Sequence, residues 1–259
     1  MYYPRQIPYL LDKDFKENIE YQEYNLKEIA DYCMCIWTMK SKKISDKSIT
    51  NNILPDACID IVIDFINNVI CFAGFSKETK DFKLNKKVDY MGVRLKPGSF
   101  HFLFNIDASK IMDNEIPFKN IEQNYNLNKI FTLKSVNAKI EALKDYLIYK
   151  SKNKKKPFIM DIIEQLYQNP QKTSVKNIAL KFGYNQRHLY RIFLINYGVS
   201  PKVLLNILRL HLCLTLILEH NMNLTDIAYS CGFYDQSHFI KEIKRYTGIS
   251  PLNVIETYK

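Results

Sequence analysis

Between Ser174 and Pro251 the chain writes one pattern twice. Ile178-Ala179 and Gly183 map onto Ile227-Ala228 and Gly232 at an offset of 49, and Gly198-Val-Ser-Pro201 maps onto Gly248-Ile-Ser-Pro251 at an offset of 50. The second copy therefore carries one extra residue near its turn. A repeat of this length means that one supersecondary unit is used twice, which restricts this part of the chain more than any compositional average does.

Each copy reads as helix, tight turn, helix. Ser174 and Asn223 are N-cap residues, with Asn177 and Asp226 three positions on, where a capping-box partner belongs. Gly183 and Gly232 supply the positive φ that ends the first helix, and Asn185 and Asp235 cap the second. In that second helix Leu189, Ile192 and Phe193, or Phe239 and Ile243, share one face at helical spacing. The opposite face carries Gln186, Arg187, Tyr190 and Arg191 in the first copy and Gln236, Ser237 and Lys241 in the second. A short braced helix with an Arg- and Gln-bearing outer face is the architecture of a helix-turn-helix reader of DNA. Between the copies Pro201 opens a helix to about Glu219, apolar nearly all round, which must be buried as a bridge between the two lobes.

The motifs Leu224-Thr-Asp-Ile-Ala, Cys231-Gly-Phe, Asp235-Gln-Ser-His-Phe and Thr247-Gly-Ile-Ser-Pro251, with Gly198-Val-Ser-Pro201 and Leu208-Arg-Leu210 upstream, are those of a known family. Residues from about 157 to 259 resemble the DNA-binding domain of the AraC/XylS family of bacterial transcription regulators. Ile243 stands where that family usually has Phe, and Lys241 where it often has Arg, which puts a bidentate guanine contact in question because Lys offers a point charge. The resemblance implies two recognition helices entering successive major-groove windows about 34 Å apart, RNA polymerase as a partner, and activation as the output.

Charge distribution agrees. The net charge of +10 divides into +1 over residues 1–149, +5 over 150–156 and +4 over 157–259, which suits a nucleic-acid partner for the C-terminal part alone; a general coding bias toward Lys would give a similar excess. The start of the chain shows no secretory pattern, and Leu210–Leu218, interrupted by His211 and Thr215, is too short for a membrane span. Cys33, Cys35, Cys58, Cys71, Cys213 and Cys231 have no zinc or disulfide spacing. The expectation is a reduced, cytoplasmic protein with no metal and no cofactor.

The first half reads as a mainly antiparallel β-domain, a barrel or sandwich. Ile29–Met39 is a candidate buried strand. In 53–65 the alternation is strict, with Ile59, Ile61, Ile63 and Phe65 on one face and Cys58, Asp60, Val62 and Asp64 on the other. Asn67-Asn68 marks a hairpin into Val69–Gly74, and Val88–Leu95 is a further strand. The runs Leu54-Pro-Asp-Ala-Cys-Ile-Asp-Ile and Met91-Gly-Val-Arg-Leu-Lys-Pro-Gly98 resemble an uncharacterised N-terminal domain of some AraC-type regulators, with Ala57 where Gly is usual. That resemblance implies an effector sensor, of cupin-like shape in many relatives. Trp37 and Arg94 are the candidate effector-binding residues, suited to an anionic or aromatic ligand, although Arg94 reads more simply as an outward strand residue. Asp60 and Asp64 lie about 13 Å apart along one strand, too far for a catalytic carboxylate pair. No phosphate loop, nucleophile elbow or metalloprotease motif occurs.

Ser135–Tyr149 reads as a helix with Val136, Ile140, Leu143 and Leu147 at gaps of four, three and four, a seam for either a dimer partner or the β-domain itself. Lys150–Lys156 reads as a solvated linker that lets the halves move independently. The expected organisation is an α+β chain. Residues 1–126 form the regulatory β-domain, 127–156 a helix and linker, and 157–259 an all-α DNA-binding domain. Its two helix-turn-helix motifs are joined by a long helix. Arg187 and Arg191 are assigned to guanine edges, Gln186 to adenine or phosphate and Tyr190 to a thymine methyl, with Gln236, Ser237 and Lys241 on the equivalent face. His188, His238, Lys244 and Arg245 are placed near phosphates or the packed flank. The expected function is a sequence-specific, DNA-binding transcription regulator, not an enzyme. Its partners would be promoter DNA, RNA polymerase, a small effector and a second protomer, with no membrane. A DNA-repair protein with an AraC-like domain, which needs an activated cysteine, and a β-domain serving protein–protein contacts are the competing readings.

Overall fold

The computed structural model describes residues 2–4, 6, 13–43, 49–219 and 222–258. Residues 44–48, in the Lys/Ser-rich turn, and 7–12, in the aromatic N-terminal stretch, lie outside the described residues, as do Met1 and Arg5. Among the described residues the first half contains a short helix α1 (Lys13–Asn18) and eight strands: β1 (Ile19–Tyr24), β2 (Cys33–Ser41), β3 (Ile49–Ile53), β4 (Ile59–Asp64), β5 (Val69–Ala73), β6 (Lys80–Leu84), β7 (Asp89–Leu95) and β8 (Glu115–Pro117). All pairings are antiparallel, in a six-stranded sheet of order β1-β2-β7-β4-β5-β8 and a two-stranded ladder of β3 with β6. Among the described residues the large sheet is open, not a closed barrel. Ile29 falls in a 3₁₀ turn ahead of β2, so that strand starts four residues later than the apolar run suggests.

The alternation of β4 is realised. Ile59, Ile61 and Ile63 are buried with Ile36, Val93, Leu95, Ile70 and Phe72 in a core on one face of the sheet. Helices α2 (Ser99–Phe104), α3 (Phe118–Ile121) and α4 (Val136–Ser151) belong to this core. Phe72 stacks on Phe118 at 5.4 Å, and Tyr146 of α4 packs edge-on against Phe118.

The α4 seam is spent on this core. Ile140, Leu143 and Leu147 are 6%, 0% and 0% exposed, and only Val136, at 42%, faces outward. An apolar stripe can cover one partner, and here the partner is the chain's own β-domain, which corrects the dimerisation assignment. The linker also differs from its reading. Lys150 pairs with the buried Glu122 at 2.6 Å, Lys154 donates to the carbonyls of Phe102 and Leu103, and Lys156 pairs with Asp161 and Asp31. Carboxylates and carbonyls offset the repulsion that would otherwise keep a lysine run extended.

The second half is helical: α5 (Ile162–Gln168), α6 (Val175–Lys181), α7 (Gln186–Tyr197), α8 (Pro201–Glu219), α9 (Leu224–Ser230), α10 (Gln236–Thr247) and α11 (Pro251–Tyr258). Ten residues of α8 are buried, between a core shared with the first lobe and one around the second. By length and composition α8 could cross a bilayer, which Leu210–Leu218 alone does not reveal; its inward-facing leucines do the bridging expected of it.

The two halves are joined by packing. The core of the large sheet continues through α5 and into the first lobe. Tyr2 is 1% exposed, its amide donates to Glu164 at 2.7 Å, and its hydroxyl donates to the Asp56 carbonyl at 3.0 Å. His211, fully buried in α8, lies 2.7 Å from the Pro55 carbonyl. A carbonyl only accepts, so the proton is on Nε2. Leu54 enters the core of the second lobe, and Thr79 donates to the Tyr246 carbonyl. These contacts pack the two halves directly against each other, so the lysine run is not a free spacer between them.

Candidate nucleic-acid interface

Both lobes are built by the same local chemistry. The Ser174 hydroxyl accepts from the Asn177 amide at 3.1 Å, and the Asn223 side chain accepts from the Asp226 amide at 2.8 Å. Asn185 and Asp235 accept from the amides of His188 and His238, each at 2.8 Å. Each bond satisfies one of the donors that a helix start leaves open. Gly183 and Gly232 turn the chain at φ +69° and +81°. The amides of Tyr184 and Phe233 then return to the carbonyls of Ala179 and Ala228. Those equivalent bonds align Tyr184 with Phe233, so the extra residue of the second copy is Tyr234, which is 90% exposed.

Leu189 and Phe193 of α7, and Phe239 and Ile243 of α10, are buried beneath the two outer helices. Opposite them Gln186, Arg187, Tyr190 and Arg191 on α7, and Gln236, Ser237, His238, Lys241, Lys244 and Arg245 on α10, are exposed; His188 is half-buried. No acidic residue occurs in α7, and α10 has one, Glu242. Each lobe thus offers a convex, basic and amide-bearing ridge whose donors point to solvent, the arrangement that reads major-groove edges and phosphates.

A family model described as "Helix-turn-helix domain" matches residues 178–256, and one described as "Domain of unknown function (DUF6597)" matches 26–117. The C-terminal part is 36% identical over 77 residues to the HTH-type transcriptional activator RhaS of Escherichia coli O139:H28, and 37% identical over 79 residues to RhaS of Citrobacter koseri. Residues 178–256 form a helix-turn-helix domain. The matches cover 30% of this chain and 28% of each relative, so the chain spans under a third of the length of the curated relatives it matches. Among solved structures, the C-terminal domain of the response regulator yesN from Fusobacterium nucleatum is 26% identical, with 38% of this chain and 93% of that chain covered and a TM-score of 0.34. The DNA-binding domain of AdpA, solved with a target DNA, is 19% identical, with 38% and 89% covered and a TM-score of 0.36.

Within this helix-turn-helix domain the candidate contacts are not equally free. Arg245 is held by Glu242 at 3.1 Å and by the Tyr246 hydroxyl at 2.6 Å, its guanidinium over the Tyr246 ring, and so sits on the packed flank. Gln236 accepts from Thr225 at 3.3 Å, and His188 lies against the Tyr184 ring and 3.4 Å from Arg191. Tyr234, Tyr184 and Tyr229 are exposed aromatics beside the recognition helices that the sequence reading passed over. Tyr234 was legible as the one-residue excess of the second copy.

Trp37 and Arg94 do meet, on the face of the large sheet away from α2, α3 and α4. They line a cavity of about 720 Å³ with β3, β6 and the N-terminal segment. Arg94 is 9% exposed and not an outward residue, because the β3–β6 ladder and Tyr3, Pro4 and Gln6 stand over that face. Its guanidinium lies 3.4 Å from Asp60, 3.8 Å from Glu23 and 3.9 Å from Asp56. Burial pushes the Asp56 carboxyl up to about 6 against the pull of Arg94, and raises Asp60 and Glu23 for the same reason. With Arg94 already facing three carboxylates, an anionic ligand has no unopposed cation there, which corrects that half of the expectation. The competing repair reading needs a thiol pulled down toward the thiolate. Burial instead pushes Cys35 up to about 12 and Cys71 up to about 11, and raises Cys33, Cys58 and Cys213.

Proposed function

We propose that the chain is a sequence-specific, DNA-binding transcription regulator whose α7 and α10 read two successive major-groove windows, and whose β-domain senses a small effector. The observation that carries the reading is the pair of identically capped helices with their polar, basic faces outward and their apolar faces buried. Arg187 and Arg191 suit guanine edges, Gln186 and Gln236 adenine edges or phosphate, and Lys241 and Lys244 phosphate. Tyr190, half exposed, suits a thymine methyl, Ser237 either groove edge or backbone, and His188 and His238 the phosphate flank. The relatives named as activators favour activation; RNA polymerase as a further partner and the cytoplasm as the setting belong to the same proposal. The contacts of residues 54–56 with α8 and with the second lobe give effector occupancy a physical route to the reading heads.

The experiment is selection of bound fragments from a random double-stranded library by the whole chain and by Arg191→Ala at fixed salt. The expected result is a consensus for the parent and, for the variant, relaxed preference at one base pair with a loss of about 1–3 kcal/mol. An unchanged consensus and affinity would remove Arg191 from the interface, and no consensus for the parent would end the regulator reading.

A further inference from the structure

We propose that the β-domain cavity is a binding site for a small organic cation with an apolar or aromatic body, its charged nitrogen seated between the Trp37 indole and the carboxylates of Glu23, Asp56 and Asp60. This deepens the effector reading above and rests on it.

The cavity is about 720 Å³, within the range of small-molecule sites. Its charge runs against that of the chain. The whole protein is +10, yet among the described residues the lining holds seven carboxylates against Arg94 and Lys80, a formal −5. At the mouth Lys80 is taken by Asp113 at 2.8 Å. At the inner end Arg94 is shared among three acids, leaving two negative charges unmatched in a partly desolvated place. Such an excess is costly and is relieved either by a proton, as the raised carboxyls show, or by a cation joining it. Arg94 Nε and Asp60 Oδ1 are both buried, 3.4 Å apart and without hydrogen-bond partners, so even the shortest of these ion pairs is incompletely satisfied.

An aromatic wall is built beside that charge. Gly92 of β7 makes room for it, since a Cβ there would lie 2.2 Å from the Trp37 ring. The indole therefore packs directly over Gly92, with Nε1 donating to Asp60 Oδ2 at 3.2 Å and Tyr21 stacked alongside at 6.3 Å. An indole face next to carboxylates attracts ammonium groups through the ring quadrupole and full charges together. Met39, Phe15 and Val62 extend the apolar lining for the rest of the ligand. The three carboxylates are arrayed around Arg94, and among the described residues no group of three His, Cys, Asp or Glu side chains is placed to hold a metal ion, which favours an organic cation.

Trp37 is the only tryptophan in the sequence, so intrinsic emission of the full chain reports on the site. The test titrates benzyltrimethylammonium, neutral benzyl alcohol and anionic phenylacetate to about 10 mM, following Trp37 fluorescence. The expected result is saturable binding of the ammonium compound at millimolar Kd or tighter, with at least tenfold weaker binding of the other two. Asp60→Asn should weaken the ammonium about tenfold, and Glu23→Gln, nearer the surface, serves the same purpose should Asp60→Asn not fold. Equal or tighter binding of phenylacetate would overturn the cation assignment while leaving an effector pocket in place. Absence of saturation by the ammonium compound would also overturn it. Neither outcome touches the DNA-selection result, so failure of the ligand class is separable from failure of the regulator reading.

Discussion

Gly198 and Gly248 occupy the same place in the two repeats, ending α7 and α10 at φ +73° and +78°, and they differ in one respect. A Cβ on Gly248 meets nothing within 4 Å, whereas one on Gly198 would lie 2.6 Å from Phe75 Cζ and 3.0 Å from the Ala108 carbonyl carbon. Gly248→Ala should therefore cost only the left-handed backbone penalty of about 1–2 kcal/mol. Gly198→Ala adds overpacking against a ring that is 5% exposed and against backbone, a further 1–3 kcal/mol or so. For a chain of this size each kcal/mol lowers Tm by about 2–4 °C. Urea unfolding of both variants and the parent gives the difference directly. Equal losses at the two glycines would refute the close packing of Gly198 against Phe75 and Ala108 of the β-domain.

His211→Leu leaves the buried Pro55 carbonyl without its donor and should cost about 1–3 kcal/mol by denaturant titration, while His211→Gln, which keeps a donor, should lose less; equal losses would contradict the assigned bond. Asp56 gives a pH test. Its folded pKa of about 6 lies above its ordinary 3.8, so the folded chain keeps a proton between those values that the unfolded chain has lost. The cost of burying the charge is absent below about 3.8 and complete above about 6. A permanently charged ammonium ligand must displace that proton at low pH. From pH 7.5 to 5.5 its affinity should fall about fourfold, and more if Asp60 and Glu23, both raised, take part. Among the described residues Arg94, Tyr3, Tyr21, Cys35 and Cys58 also face these carboxylates, Tyr3 and Tyr21 each donating to Glu23. Constant affinity across that range would contradict the seat among these carboxylates.

The C-terminal domain was legible because its determinants are local. A cap side chain, a turn glycine and a face at helical spacing act within four residues, and each N-cap named from sequence makes its bond. The β-domain was legible only by halves. Period two identified the inner face of β4, but it reports nothing about what lies over the other face, which here is the β3–β6 ladder formed across some thirty residues. Arg94 and Asp60 therefore read as polar and outward while standing in a cavity. The seam on α4 was visible but not its partner, since a 4-3-4 spacing suits a sheet as well as a second helix. Ala57 shows the same limit: its φ of +57° explains why Gly suits that position, and only the fold reveals that the turn sets Asp56 in the cavity and Pro55 against α8.

The most direct measurement is a footprint of the whole chain on its selected DNA fragment at moderate salt, read base by base in both grooves. Two protected major-groove windows on one face of the duplex, centred about 10–10.5 base pairs apart, are the expected result. Uniform retention of random and selected fragments, or a single protected window, would contradict two reading heads acting together.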